Sequence, residues 1–315
     1  VNARGIAYHE KKLGQLFCDH SAQDIVDMLL AEAANAGVQI RLKSEVSEVV
    51  PIASGFRVNV TKRKGKTAID AYALEAPRVV LASGGLSLPK IASDLAYRTA
   101  RELGMSVVAP SPALVPLTWN NADKADFAGL SGVAVDCEIG CSGQFFRENL
   151  LFTHRGLSGP AILQASSYWR AGDVVDINLL PELDVLSWLR QLQQDRGKIS
   201  LSTALKSLLP NRLIDLLIDR WFDDQILGDM SAAHCDDVAK HLQAWRFRPG
   251  GTEGYRTAEV TLGGLATTEF SSKTFEAKGY PGLYAIGEAL DVTGWLGGYN
   301  FQWAWASGYC CAEQL

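Results

Sequence analysis

Three glycine-rich turns stand where apolar runs end, and each could bring the main chain close to a charged ligand. In GLYAIGEALDVTGWLGGYN, residues 282–300, the run Leu283–Ile286 stops at Gly287-Glu288. Gly294, Gly297 and Gly298 follow before a helical stretch opens near Tyr299, Asn300 and Phe301. A carboxylate at Glu288 can accept hydrogen bonds from sugar or polyol hydroxyls. Glycines leave no Cβ between backbone and ligand, and the free N–H groups of a helix amino end favour negative charge. That charge could be a pyrophosphate or the electron-rich edge of a reduced flavin. The second turn, LASGGLS, sets Ser83, Gly84 and Gly85 after another apolar run, and the third, TLGG, sets Gly263 and Gly264 upstream of the first. Any one of these would also serve a plain strand–turn–helix connection. Three in one chain favour a ligand.

Other reactive groupings are thinner. LFTHRGLSGPA, residues 151–161, crowds Thr153, His154, Arg155 and Ser158 onto one turn. Ser158 reads as the cap of a helix with Pro160 at its first position, and its surroundings fall short of the G-x-S-x-G elbow of an esterase. His154 and Arg155 are substrate-side candidates, and the residues identify no catalytic base. The six cysteines form no Cys-x-x-Cys pair and no zinc-like set, which predicts no metal and fits a reducing cytoplasm.

These turns need elements to hold them. A capping-box-like Ser21–Asp24 opens a helix with Ile25, Met28, Leu29 and Ala33 on one face, closed by Gly37. VQIRL, residues 38–42, alternates like a strand. Residues 45–50, 55–62 and 67–74 continue that period as a meander, with the basic cluster at 62–66 as a hairpin tip. Residues 78–83 read as a strand buried on both faces, and a helix spans about 94–103. PSPALVPLTW then marks a crossing. Short strands dominate to about 180, helices from 181 to 245, and glycine-rich strand character returns after 249. The pattern predicts an α/β domain in two parts, 1–109 and 249–315, interrupted by a β-rich insert at 110–180 and a helical insert at 181–248. At 315 residues, with 47% hydrophobic and 21% charged residues, each part can bury a core. The net charge of −5 argues against nucleic acid or anionic membrane as partner, and no stretch approaches the roughly 20 apolar residues of a membrane span.

Five stretches together resemble a known family: LASGGLSLPKIASD, PSPALVPLTW, LFTHRGLSGPAIL, AEVTLGGLATTEF and GLYAIGEALDVTGWLGGYNFQWAWASG. They look like the BaiN-like flavoproteins, also called YhiN-like or aminoacetone-oxidase-type FAD-binding enzymes, and the match runs over nearly the whole chain. The resemblance implies a glutathione-reductase-like FAD domain, an insert covering the flavin, and hydride or electron transfer between flavin and a small organic substrate, with NAD(P)H or O2 as redox partner. It also implies roles. Glu288 would hold the ribityl or ribose region, Gly297 to Phe301 would approach flavin and pyrophosphate, and Ser83 and Gly84 would stand near the nucleotide half. Val46, in a turn of SEVSEV, would meet the adenine through its backbone. One departure is large: the G-x-G-x-x-G turn that opens such domains does not occur in the sequence. The expectation is therefore an FAD domain incomplete at its amino end, in an enzyme truncated there or, alternatively, a non-catalytic remnant that no longer holds FAD.

Overall fold

The computed structural model describes residues 1–11 and 14–315. Strands β1 (Tyr8–Glu10) and β2 (Leu16–Cys18) pair antiparallel ahead of helix α1 (Gln23–Asn35). Ser21 Oγ accepts from the Gln23 N–H at 3.1 Å, but Ala22 holds the N-cap position and the expected capping box does not form. Ile25, Met28 and Ala33 are half-buried, while Leu29 is exposed. The strand expected at VQIRL is absent. Val38, Ile40 and Leu42 project to solvent, and no strand among the described residues pairs with them. Alternation alone cannot hold a strand without a neighbour to bond its backbone.

Strands β3 (Ser44–Ile52), β4 (Gly55–Lys64) and β5 (Thr67–Ala76) form the expected antiparallel meander, with the basic cluster at the β4–β5 tip. Val46 sits within β3 rather than in a turn. The register shifts between Val46 and Glu48, a bulge that absorbs one residue without ending the strand. Strand β6 (Val79–Leu81), helix α2 (Leu95–Glu102) and strand β7 (Val107–Ala113) follow. Only Leu81 of β6 is fully buried, because one strand alone flanks β6 among the described residues.

The chain then builds β8 (Leu117–Thr118), α3 (Asn121–Phe127), β9 (Ala134–Cys141), β10 (Gln144–Phe152), β11 (Gly156–Ser158), α4 (Pro160–Ser166) and β12 (Val175–Asn178). Helices α5 (Val185–Arg196), α6 (Leu201–Leu205), α7 (Asn211–Arg220) and α8 (Ala232–Gln243) come next, before β13 (Trp245–Phe247) and β14 (Gly251–Thr252). The strands form one sheet in the order β13-β12-β9-β10-β11-β8-β14. Strand character thus resumes after the helices. Ser158 lies in β11 and is not a cap. Gly159 takes the N-cap position at φ 89°, and a Cβ there would meet the Asn149 carbonyl oxygen at 2.5 Å, while Pro160 opens the helix as expected. Trp119, Phe127, Phe152, Trp245 and Phe247 pack ring against ring beneath the helices. Ser231 caps α8 by accepting from the His234 N–H at 3.1 Å. Replacing Ser231 with alanine is expected to cost about 1 kcal/mol, read as a shifted urea midpoint at unchanged slope.

Strands β15 (Val260–Leu265) and β16 (Leu283–Ala285) and helix α9 (Tyr299–Ala312) complete this mixed α/β fold. β15 pairs antiparallel with β7, and β16 parallel with β6. Two large apolar clusters result. One gathers residues between Leu117 and Phe247; the other joins Val49–Met105 with Leu265–Cys311. All six cysteines are free, and no helix among the described residues is long and apolar enough to cross a membrane.

Candidate functional site

Parallel pairing of Val79 with Leu283 and of Leu81 with Ala285 brings two of the glycine turns together. Ser83–Gly85 and Gly287–Glu288 leave the same carboxyl end side by side, the place where open α/β sheets hold ligands. A residue that the sequence reading passed over, Thr261 on β15, ties them. Its ladder partner is Pro112, which has no N–H. The Thr261 N–H points away from β7 and donates to Glu288 Oε1 at 2.5 Å, while its carbonyl oxygen accepts from Thr293 Oγ1 at 3.2 Å. Thr261 Oγ1 accepts from the N–H groups of Leu86 and Ser87 at 2.8 and 3.1 Å, and Ser87 Oγ donates to Glu288 Oε1 at 3.2 Å. Glu288 Oε2 accepts no hydrogen bond among the described residues.

The glycines divide into two groups. A Cβ on Gly85 would stand 2.4 Å from Thr261 Oγ1, on Gly263 2.6 Å from the Ala109 carbonyl oxygen, and on Gly264 2.8 Å from the Ala289 carbonyl oxygen. These three are glycine because chain meets chain. Gly84 and Gly298 are different: both lie at positive φ, yet the nearest atom to a Cβ on Gly84 is 3.9 Å away, and a Cβ on Gly298 meets nothing within 4 Å. Their backbone is open to a ligand. Gly287 is held by α9, where its N–H donates to Ser307 Oγ at 2.9 Å and its carbonyl oxygen accepts from Trp303 Nε1 at 3.0 Å. The spacing of Trp303 and Ser307, four apart on one helix face, was the readable signal for that clamp.

The loop before α9 is braced by Asn300, whose side chain accepts from the Gly294 N–H at 2.8 Å and donates to the Gly294 carbonyl oxygen at 3.0 Å. Asn300 thus serves the loop itself. The N–H groups of Tyr299, Asn300 and Phe301 find no acceptor among the described residues, as expected of a helix's first turn. The rings of Tyr299 and Phe301 are exposed. Gly297 packs only loosely, 3.5 Å from the Tyr299 ring by its would-be Cβ.

Buried hydroxyls without partners surround the network: Ser83 Oγ, Tyr97 OH on α2 and Tyr255 OH ahead of β15. Burial first, then the Glu288 charge, pushes Tyr97 up to about 12 and raises Tyr255 in the same order of causes. Both phenols therefore stand within the field of the Glu288 carboxylate. An FAD pyrophosphate or polyol chain fits such a surface. Open backbone at Gly84 and Gly298, a long helix's amino end, a carboxylate oxygen to spare and an orphaned Ser83 hydroxyl are the groups it requires.

His154 and Arg155 lie apart from this network, on the exposed turn between β10 and β11. Arg155 Nη1 pairs with Glu253 at 3.4 Å. Val46 packs its side chain against the cluster that holds Leu81 and Leu283, on the meander.

A family model described as the HI0933-like protein Rossmann domain matches residues 1–314. The ribosomal RNA dihydrouridine synthase of Escherichia coli is 47% identical over 318 residues, which covers 100% of this chain and 77% of that protein. The protein of the same name from Haemophilus influenzae is 44% identical over 318 residues, with 100% and 78% covered. The 3-dehydro-bile acid delta(4,6)-reductase of Clostridium scindens is 30% identical over 280 residues, with 82% and 68% covered.

Proposed function

This chain belongs to the HI0933-like family of Rossmann-domain proteins, and we propose that it acts as an FAD-dependent reductase that saturates the C5=C6 bond of uridine in ribosomal RNA. The BaiN-like and YhiN-like resemblance of the five motifs is borne out by that membership and by the bile-acid reductase relative. What carries the flavin reading is one juxtaposition at the shared end of β6 and β16. Open glycine backbone, the amino end of α9 and the free oxygen of Glu288 meet there beside an unpartnered serine hydroxyl. The substrate reading rests on the two relatives named for ribosomal RNA, which resemble the chain more closely, and over all of it, than the bile-acid enzyme does. It departs from the expectation of no nucleic-acid partner. That expectation used net charge, an average over the whole surface, whereas RNA needs only a local patch.

Bound flavin would supply the hydride. The chain's own groups then have separate tasks. The first-turn N–H groups of α9 and the backbone at Gly298 face negative charge, Gly84 and Ser83 take the nucleotide side, and Glu288 fixes the geometry while offering Oε2 to a polyol hydroxyl. We read 1–109 and 249–315 as the cofactor-binding body and 110–180 with 181–248 as the insert over the flavin, except that β14, which pairs with β8, goes with the insert sheet. Substrate enters between them, and NAD(P)H is the reductant. A small unsaturated ring acid is the second reading, favoured by the bile-acid relative.

The test has two stages. Purified chain soaked with FAD and gel-filtered is expected to retain a flavin spectrum; a colourless chain sinks the cofactor reading. Flavin-loaded chain given reductant and ribosomal RNA that lacks the modification is expected to yield dihydrouridine on nucleoside mass spectrometry. RNA that stays unmodified beside a reducible flavin sinks the substrate reading alone.

A further inference from the structure

We propose that Trp295 and Arg170 form a nucleotide-holding pair at the mouth of this site, Trp295 stacking on a pyrimidine base of the RNA and Arg170 meeting its phosphate. The proposal rests on the ribosomal RNA reading above and names residues that recognise that substrate. Trp295 lies in the loop between β16 and α9, two residues before Gly297. Its ring is 45% exposed, yet its orientation is set. Nε1–H donates to Tyr168 OH at 2.7 Å, and the indole stands edge-on to Phe146, 5.3 Å between centroids at 87°. Phe146 and Tyr168 pack together at 5.8 Å, and the next residue, Leu296, rests against the small cluster of Ala113, Leu114 and Val260. An aromatic ring half in water normally turns among rotamers; this one is held by elements on both sides of it. A fixed, half-exposed indole beside a cofactor turn is a platform for a planar base.

Arg170 is the second, independent observation. It stands two residues after Tyr168, exposed, and its Nη1 donates to the carbonyl oxygens of Ser167 and Trp169 at 3.2 and 2.9 Å. It forms no ion pair among the described residues, unlike Arg147 on β10, which is bound by Asp136. The Asp173 carboxylate of the same turn accepts the Arg170 backbone N–H at 2.9 Å rather than pairing with the guanidinium, so a guanidinium pinned by its own turn and outside any ion pair is preorganised for a phosphate oxygen. Stacking also sorts substrate from product. Uridine presents a flat conjugated ring, whereas dihydrouridine has a saturated C5–C6 bond and a puckered ring with less π face to offer.

The test is fluorescence anisotropy with a labelled single-stranded RNA carrying one central uridine, and with the same strand carrying dihydrouridine. Trp295→Ala is expected to weaken the uridine strand about tenfold, the scale of one base–aromatic stack, and to erase the preference for uridine over dihydrouridine. Trp295→Phe, which keeps a ring without the N–H, is expected to retain most of the affinity. Arg170→Ala is expected to lower the slope of log K against log salt by about 0.7, the share of one phosphate on a single strand. Wild-type affinity in Trp295→Ala, or an equal loss in Trp295→Phe and Trp295→Ala, would overturn the stacking role. An unchanged salt slope would remove Arg170. A wild-type chain that binds neither strand would instead take down the RNA reading itself.

Discussion

Gly85→Ala is expected to destabilise the protein by about 3 kcal/mol, more than alanine at the neighbouring open Gly84. The new methyl would lie 2.4 Å from Thr261 Oγ1, 2.7 Å from Thr261 Cβ and 3.1 Å from Glu288 Cδ. Overpacking of that kind costs about 1–3 kcal/mol. Thr261 is β-branched and stiff, so moving it also breaks its bonds to the Leu86 and Ser87 N–H groups, each worth about 1 kcal/mol. Gly84→Ala meets no such wall. Its cost is the strain of φ 68°, about 1 kcal/mol for a residue with a Cβ. Urea unfolding of the two variants decides the matter, and a Gly85→Ala protein within 1 kcal/mol of wild type would mean that the three turns are not packed as described.

Glu288→Ala carries the second large effect, a loss of about 3 kcal/mol in stability together with weakened flavin binding. Removing the carboxylate leaves the Thr261 N–H and the Ser87 hydroxyl without their acceptor in a site where Thr261 is 1% exposed. Each buried group left unsatisfied costs about 1–3 kcal/mol. Glu288→Gln keeps an oxygen in the same place and is expected to recover most of the stability. Flavin affinity, followed by fluorescence, then separates the two duties of this side chain. Loss of flavin in the stable glutamine variant assigns the charge to the cofactor. Unchanged flavin binding in both variants restricts Glu288 to cross-linking the turns.

Much of this was readable from residue order. The meander, the four helices between 185 and 243 and the apolar runs ending in glycine all follow from periods of two and 3.6 and from local turn chemistry, which act within a few residues. The same local rules misread VQIRL, whose alternation finds no neighbour to pair with, and Ser158, whose capping place Gly159 takes because the Asn149 carbonyl leaves no room for a Cβ.

The sequence by itself therefore determined the order of elements, the places where backbone could approach a ligand, and family membership. Only the tertiary structure decided which glycines are open and which are closed. Gly85, Gly263 and Gly264 look like Gly84 and Gly298 in a string of letters, yet the first three are filled by Thr261, Ala109 and Ala289. Tertiary packing also placed Thr261 at the centre, through hydrogen bonds to Leu86 and Ser87 across 175 and 174 residues. The physical reason is range: propensity and capping are set by neighbours along the chain, whereas steric room for a Cβ and the partner of a buried N–H are set by whatever the fold brings from far away.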